Sequence, residues 1–107
     1  MERLGASDRP QMTFAVARSD GATAVLTIAG ELDISNIDQL AAAVEPVIEA
    51  RPDRLVVNVG GLRFADSSAI ALWVRWAADV EVELRDPPAI LRQVITRMGL
   101  AGKLALK

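Results

Sequence analysis

Two short polar clusters hold most of the side chains with chemistry to offer, Asp33-Ile34-Ser35-Asn36 and Asp66-Ser67-Ser68. Asp33 and Asp66 form a carboxylate pair of the type that serves general acid–base catalysis, and the serines are nucleophiles or acceptors of a phosphoryl group. The rest of the chain withholds what would make catalysts of them. It has no histidine, cysteine or tyrosine, which removes the commonest general base, the serine triad, thiol nucleophiles and the usual zinc ligands. The only lysines, Lys103 and Lys107, are remote from Ser67 in sequence, and no Gly-rich phosphate cradle or cofactor motif is present. These absences point to a binding protein, not an enzyme, with no catalytic, metal-binding or cofactor-binding residues.

Both clusters also have a plain structural use. Ser35 or Asn36 can cap one helix and Asp66 another, because short polar side chains accept hydrogen bonds from the unpaired amides of a first turn. Ser67 and Ser68 have a further property. The start of a helix carries a partial positive charge and tolerates an anion. A phosphate on Ser67 would add roughly −1.5 to −2 charges there without melting the helix. Asp66 would repel it, so a serine at this point can change the surface charge while the fold stays put.

The elements that must position these clusters are legible in the spacing of apolar residues. With 107 residues the chain reads as one domain, residues 11–107, preceded by a flexible tail over residues 1–10. Met12–Ala17 alternates as a half-buried strand, Asp20-Gly21 suits a hairpin turn, and a second antiparallel strand runs from about Ala22 to Ala29, stopping at Gly30. Ile37, Leu40, Ala41, Val44 and Ile48 share one helical face; Pro46 inside that pattern predicts a kink or early break. Leu55–Val59 reads as a third strand ended by Gly60-Gly61, and Asp66–Ala78 as a capped helix with Ile70, Trp73, Val74 and Ala77 on its buried stripe. Trp73 and Trp76 are most simply core or groove packing, with an aromatic contact face for a partner as the other reading. Val80–Leu84 alternates strictly, predicting a strand with one face toward helices and one toward water. Asp86-Pro87-Pro88 opens a last helix that carries Ile90, Leu91, Val94, Ile95 and Met98 and closes at Gly99. The fold class is α/β: a mixed, mostly parallel sheet with helices packed on one face.

A net charge of −2 argues against a nucleic-acid partner. The longest apolar run, Ala69–Val74, is far shorter than the roughly 20 residues of a membrane span, and the N-terminus lacks the apolar stretch of a secretory signal. The sequence therefore predicts a cytoplasmic protein with no direct membrane insertion.

Gly30-Glu31-Leu32-Asp33 and, about 33 residues on, Leu62-Arg63-Phe64-Ala65-Asp66-Ser67-Ser68-Ala69 resemble the two signature stretches of STAS domains, the modules shared by anti-sigma factor antagonists and sulfate transporters. The resemblance runs from residue 12 to about 106 and implies a STAS-like fold. In the anti-sigma factor antagonist branch, the serine after the aspartate is phosphorylated by an anti-sigma factor that is itself an ATP-using serine kinase. Ser67 matches that serine, and ATP would belong to the partner. The unphosphorylated form binds the anti-sigma factor and frees the sigma factor. The resemblance further implies a partner surface built from Asp33, Ser35, Asn36, Asp66, Ser68 and Ala69. Ser68-Ala69-Ile70-Ala71-Leu72 and its Trp-bearing helix also resemble STAS subunits of ABC-type phospholipid-transport complexes, whose partner is the transporter's ATPase subunit.

Overall fold

The computed structural model describes residues 11–18 and 22–107. Five strands and three helices follow in the order β1 (Met12–Arg18), β2 (Thr23–Leu32), α1 (Ile37–Glu49), β3 (Arg54–Ala65), α2 (Ser67–Ala77), β4 (Glu81–Arg85), α3 (Ala89–Arg97) and β5 (Leu104–Leu106). The sheet order is β1-β2-β3-β4-β5. β1 and β2 are antiparallel, and every later pair is parallel. The tail over residues 1–10 and the Asp20-Gly21 turn lie outside the described residues. No helix among the described residues is long and apolar enough to cross a membrane.

Period-two alternation places apolar residues in rows across the sheet. Ala24, Leu55, Val82 and Leu104 form one row, and Leu26, Val57, Leu84 and Leu106 the next. All but Leu106 are buried, and they join Leu40, Val44, Ile70, Trp73 and Ile95 from the helices in one core. Trp73 and Trp76 are both buried, as their spacing predicts.

Several elements depart from the sequence reading, each for a physical reason. β2 does not stop at Gly30: that residue takes φ +99 inside the strand, where an added Cβ would lie 2.1 Å from the Gln11 carbonyl oxygen. Glycine is there for a close backbone approach at an irregular point of the ladder. Gly60-Gly61 does not end β3 either, since a Cβ at Gly61 would meet Ala29 at 3.0 Å and one at Gly60 would meet Asp86 at 3.2 Å. The strand slides past its neighbours and continues to Ala65. Pro46 does not break α1 early; the helix runs on to Glu49. Burial of Ile37, Leu40, Val44 and Ile48, at roughly 1.5–3 kcal/mol per side chain, outweighs the roughly 3 kcal/mol cost of an internal proline. β4 does not turn one face to water: Glu83 is buried, held by Arg85 at 2.9 Å and Arg54 at 3.8 Å. In α3 only Leu91 and Ile95 are buried, whereas Ile90, Val94 and Met98 are exposed. They lie four residues apart, on a flank of the helix that no described strand or helix covers.

Gly30→Ala is expected to lower stability by at least about 1–3 kcal/mol, the usual cost of a strained backbone conformation, with clash added. Gly102, with nothing within 4 Å of a built Cβ, is the control, and Gly102→Ala should stay within about 0.5 kcal/mol of wild type. Urea unfolding checks both, through a midpoint shift at constant slope.

Candidate functional site

The two polar clusters meet at the end of the sheet where β2 and β3 run out side by side, Leu32 opposite Ala65. The chain leaves each strand through the same local device. Asp33 Oδ1 accepts hydrogen bonds from the Ser35 amide at 2.9 Å and from the Ser35 hydroxyl. Asp66 Oδ1 accepts from the Ser68 amide at 3.0 Å and from the Ser68 hydroxyl. Such Asp-x-Ser turns arise because a short carboxylate reaches the amide two residues on. At Asp66 the turn opens directly into α2, and the carboxylate is its N-cap.

The second Asp66 oxygen joins the clusters. Oδ2 accepts from the Ile34 amide at 3.2 Å, while the Asp66 amide donates to the Leu32 carbonyl at 3.3 Å. One side chain thus caps α2 and pins the 33–36 loop beside it. The expected capping of α1 is not found. Asn36 occupies the cap position without a side-chain cap bond; its Oδ1 accepts from the Asp33 amide at 3.0 Å and its Nδ2 donates to the Glu31 carbonyl at 2.9 Å. Ser35 is spent on Asp33 in the same way. Their side chains brace the loop, and α1 starts on the Asp33 carbonyl, which accepts from the Ile37 amide at 3.0 Å.

This wiring decides the chemistry. The Asp66 carboxyl sits below its ordinary value of 3.8, chiefly through the Ser68 hydroxyl and further through the amides of Ser68, Ile34 and Ala69, against a smaller opposing effect of burial. It is ionised at neutral pH, and its two oxygens are already accepting hydrogen bonds. Ser67 is exposed, and its hydroxyl has no hydrogen-bond partner among the described residues. Asp33, Ser35, Asn36 and Ser68 lie on the surface around it, exposed or half-buried. Ala69 does not: its side chain is fully buried, because it faces the core from the first turn of α2. It supports the serines from beneath and offers a partner no side-chain surface. Among the described residues no group of three or more carboxylates is placed to hold a metal ion.

An apolar groove of about 250 Å³ opens beside Ser67. One wall is the consecutive stretch Leu62–Ser67 and the other is the exposed ridge of Ile90, Val94 and Met98 on α3, with Pro88 at one end. The sequence shows that ridge only as part of the apolar residues the last helix carries. The spacing was legible, but periodicity gives only the direction of a stripe, and here the stripe is wider than the core that receives it.

The family model described as the Mlab, STAS domain matches residues 15–106. Among solved structures the chain is similar to an anti-sigma factor antagonist from Mycobacterium paratuberculosis, at 21% identity and a TM-score of 0.80, over 89% of this chain and 84% of that one. It is similar to the anti-sigma factor antagonist SpoIIAA in its unphosphorylated form, at 24% identity and a TM-score of 0.76, over 89% of this chain and 88% of that one. The Bacillus cell fate determinant SpoIIAA in its phosphorylated form is similar at 24% identity and a TM-score of 0.72, over 89% and 91%. No curated protein matches at a significant level. At these identities the solved structures establish the shared fold.

The Asp66 cap has a pH signature. Its carboxyl is lowered in the folded state, so the stability it contributes is fully present above the unfolded value and is lost as pH falls through the folded one. Asp66→Ala is expected to cost about 0.5–2 kcal/mol at pH 7. The gap to wild type should narrow below about pH 4, as followed by urea unfolding across pH.

Proposed function

The chain belongs to the STAS domain family, and from that premise we propose that it is a regulatory binding protein of the anti-sigma factor antagonist type, switched by phosphorylation of Ser67. The observation that carries this reading is the contrast among the site's hydroxyls. Ser35 and Ser68 donate to aspartates, while Ser67 presents an exposed, unengaged hydroxyl at the first residue of α2. The partner in this reading is an anti-sigma factor of the serine-kinase type, and ATP is bound by that partner. The Ser67 oxygen attacks the γ-phosphorus, ADP leaves, and the hydroxyl proton goes to a base on the kinase. Asp66 is poorly suited to take it, because its carboxyl is held below its ordinary value and both oxygens are occupied.

The unphosphorylated face, with Asp33, Ser35, Asn36, Asp66 and Ser68 around the serine, is the form that binds and so releases the sigma factor. Phosphate adds roughly −1.5 to −2 charges beside an ionised Asp66. The partner would have to desolvate that charge, and an unpaired interfacial charge typically costs several kcal/mol. The helix start accommodates the anion, so binding changes while the fold does not. That solved relatives of the same fold include both an unphosphorylated and a phosphorylated form supports this. In this reading the chain catalyses nothing itself and works in the cytoplasm. The transport-subunit alternative draws no support from the solved relatives.

Pull-down from native lysate, with identification of the bound protein, tests the partner class: a kinase-type anti-sigma factor is expected, and an ABC ATPase subunit would overturn the reading. Calorimetric titration against the identified partner tests the switch. Ser67→Ala should bind as wild type does. Ser67→Glu should fold normally yet bind about a hundredfold more weakly, equivalent to about 2.7 kcal/mol. Equal affinities for all three would reduce Ser67 to a helix-start residue.

A further inference from the structure

β4 pairs with β3 only from Arg54 to Asn58, but β3 runs on to Ala65. Beyond Asn58 the strand is bonded to β2 on one side, and among the described residues no strand lies beside its other edge. The first amide past the end of β4, that of Gly60, is satisfied by the Asn58 side chain at 3.1 Å. From Leu62 onward consecutive residues line the apolar groove. Neighbouring residues of a strand point to opposite faces, so a wall made of consecutive residues is a strand edge, not a strand face. The opposite wall is the ridge of Ile90, Val94 and Met98, spaced four apart on α3. Of the six large hydrophobic residues exposed among those described, these three and Phe64 border this one groove.

We propose that this groove is a strand-addition site: an extended, acidic segment of the partner pairs with the free edge of β3 between Gly61 and Ala65 and lays alternate apolar side chains against the α3 ridge. Main-chain pairing supplies affinity and the apolar pocket supplies selectivity, the usual division in strand addition. The acidic character follows from charge. Arg63 lines the groove, held among the described residues only by Glu31 at 3.6 Å between exposed side chains, a contact weak enough to exchange. Arg97 lies three residues past Val94, on the neighbouring flank of α3, and has no ion-pair partner among the described residues. Asp66, the acid in the lining, is ionised, and its two oxygens are turned to the Ser68 and Ile34 donors. Ser67 stands at the end of the same wall, so a phosphate there repels an acidic segment. In that respect the inference rests on the proposed role of Ser67; the groove's occupancy does not.

The test uses a capped peptide of alternating Val and Glu, its Val–Lys counterpart, and a Val–Glu analogue N-methylated at alternate amides, titrated into isotope-labelled protein. The Val–Glu peptide should shift the amide resonances of residues 61–65. N-methylation should weaken it at least about tenfold, as should Val94→Asp, a change at an exposed residue. The Val–Lys peptide should bind more weakly, and Ser67→Glu should weaken the acidic peptide alone. Equal binding of the N-methylated peptide, preference for the basic one, shifts confined elsewhere, or no binding would each overturn the proposal. Self-association abolished by Val94→Asp would overturn it too, by making the groove a contact between copies of this chain. Peptide failure alongside capture of a kinase that discriminates Ser67→Glu would sink only the strand-addition site.

Discussion

One carboxylate holds the functional end of this molecule together. Asp66 divides its two oxygens between the first turn of its own helix and the Ile34 amide of a loop 32 residues away in sequence. Parallel pairing of β2 with β3 brings the two loops to the same edge, as open α/β sheets do at the carboxyl ends of their strands. Pairing alone would leave both loops free to move independently. Asp66 converts them into one surface, and because it is ionised the bonds to it are of the stronger, charge-assisted kind. Its carboxyl is also no longer free for proton transfer, which turns a nominal carboxylate pair into a rigid frame.

The same wiring separates three neighbouring serines by function. Ser35 and Ser68 complete Asp-x-Ser turns and are tied down by their aspartates. Ser67, flanked by residues with structural duties, has none itself. Negative charge added there meets the positive end of α2 on one side and Asp66 on the other. In the proposed switch the fold tolerates the addition, while a surface docked against it does not.

Much of this was legible in the residues. The apolar rows Ala24–Leu55–Val82–Leu104 and Leu26–Val57–Leu84–Leu106 follow from period-two alternation, and the Asp66 cap follows from a short carboxylate ahead of a helical stripe. Glycine misled at three positions, because Gly30, Gly60 and Gly61 mark close approaches of backbone and neighbouring side chains that no local pattern distinguishes from a strand end. Glu83 alternates as a solvent-facing residue, yet Arg54 from β3 and Arg85, two residues along β4, cover it. Ile90, Val94 and Met98 share the apolar spacing of the last helix, which does not say which of its residues are covered. Where an apolar stripe is wider than its core, only the packed structure tells covered residues from exposed ones.

The account turns on Ser67 being the one hydroxyl of this surface that accepts a phosphoryl group. The most direct measurement is site mapping by mass spectrometry after incubating the chain with ATP and the partner captured from native lysate. A single phosphate on Ser67, lost in Ser67→Ala and not relocated to Ser35 or Ser68, is the predicted result. Absence of incorporation, or a phosphate carried on Ser35 or Ser68 in place of Ser67, would contradict it.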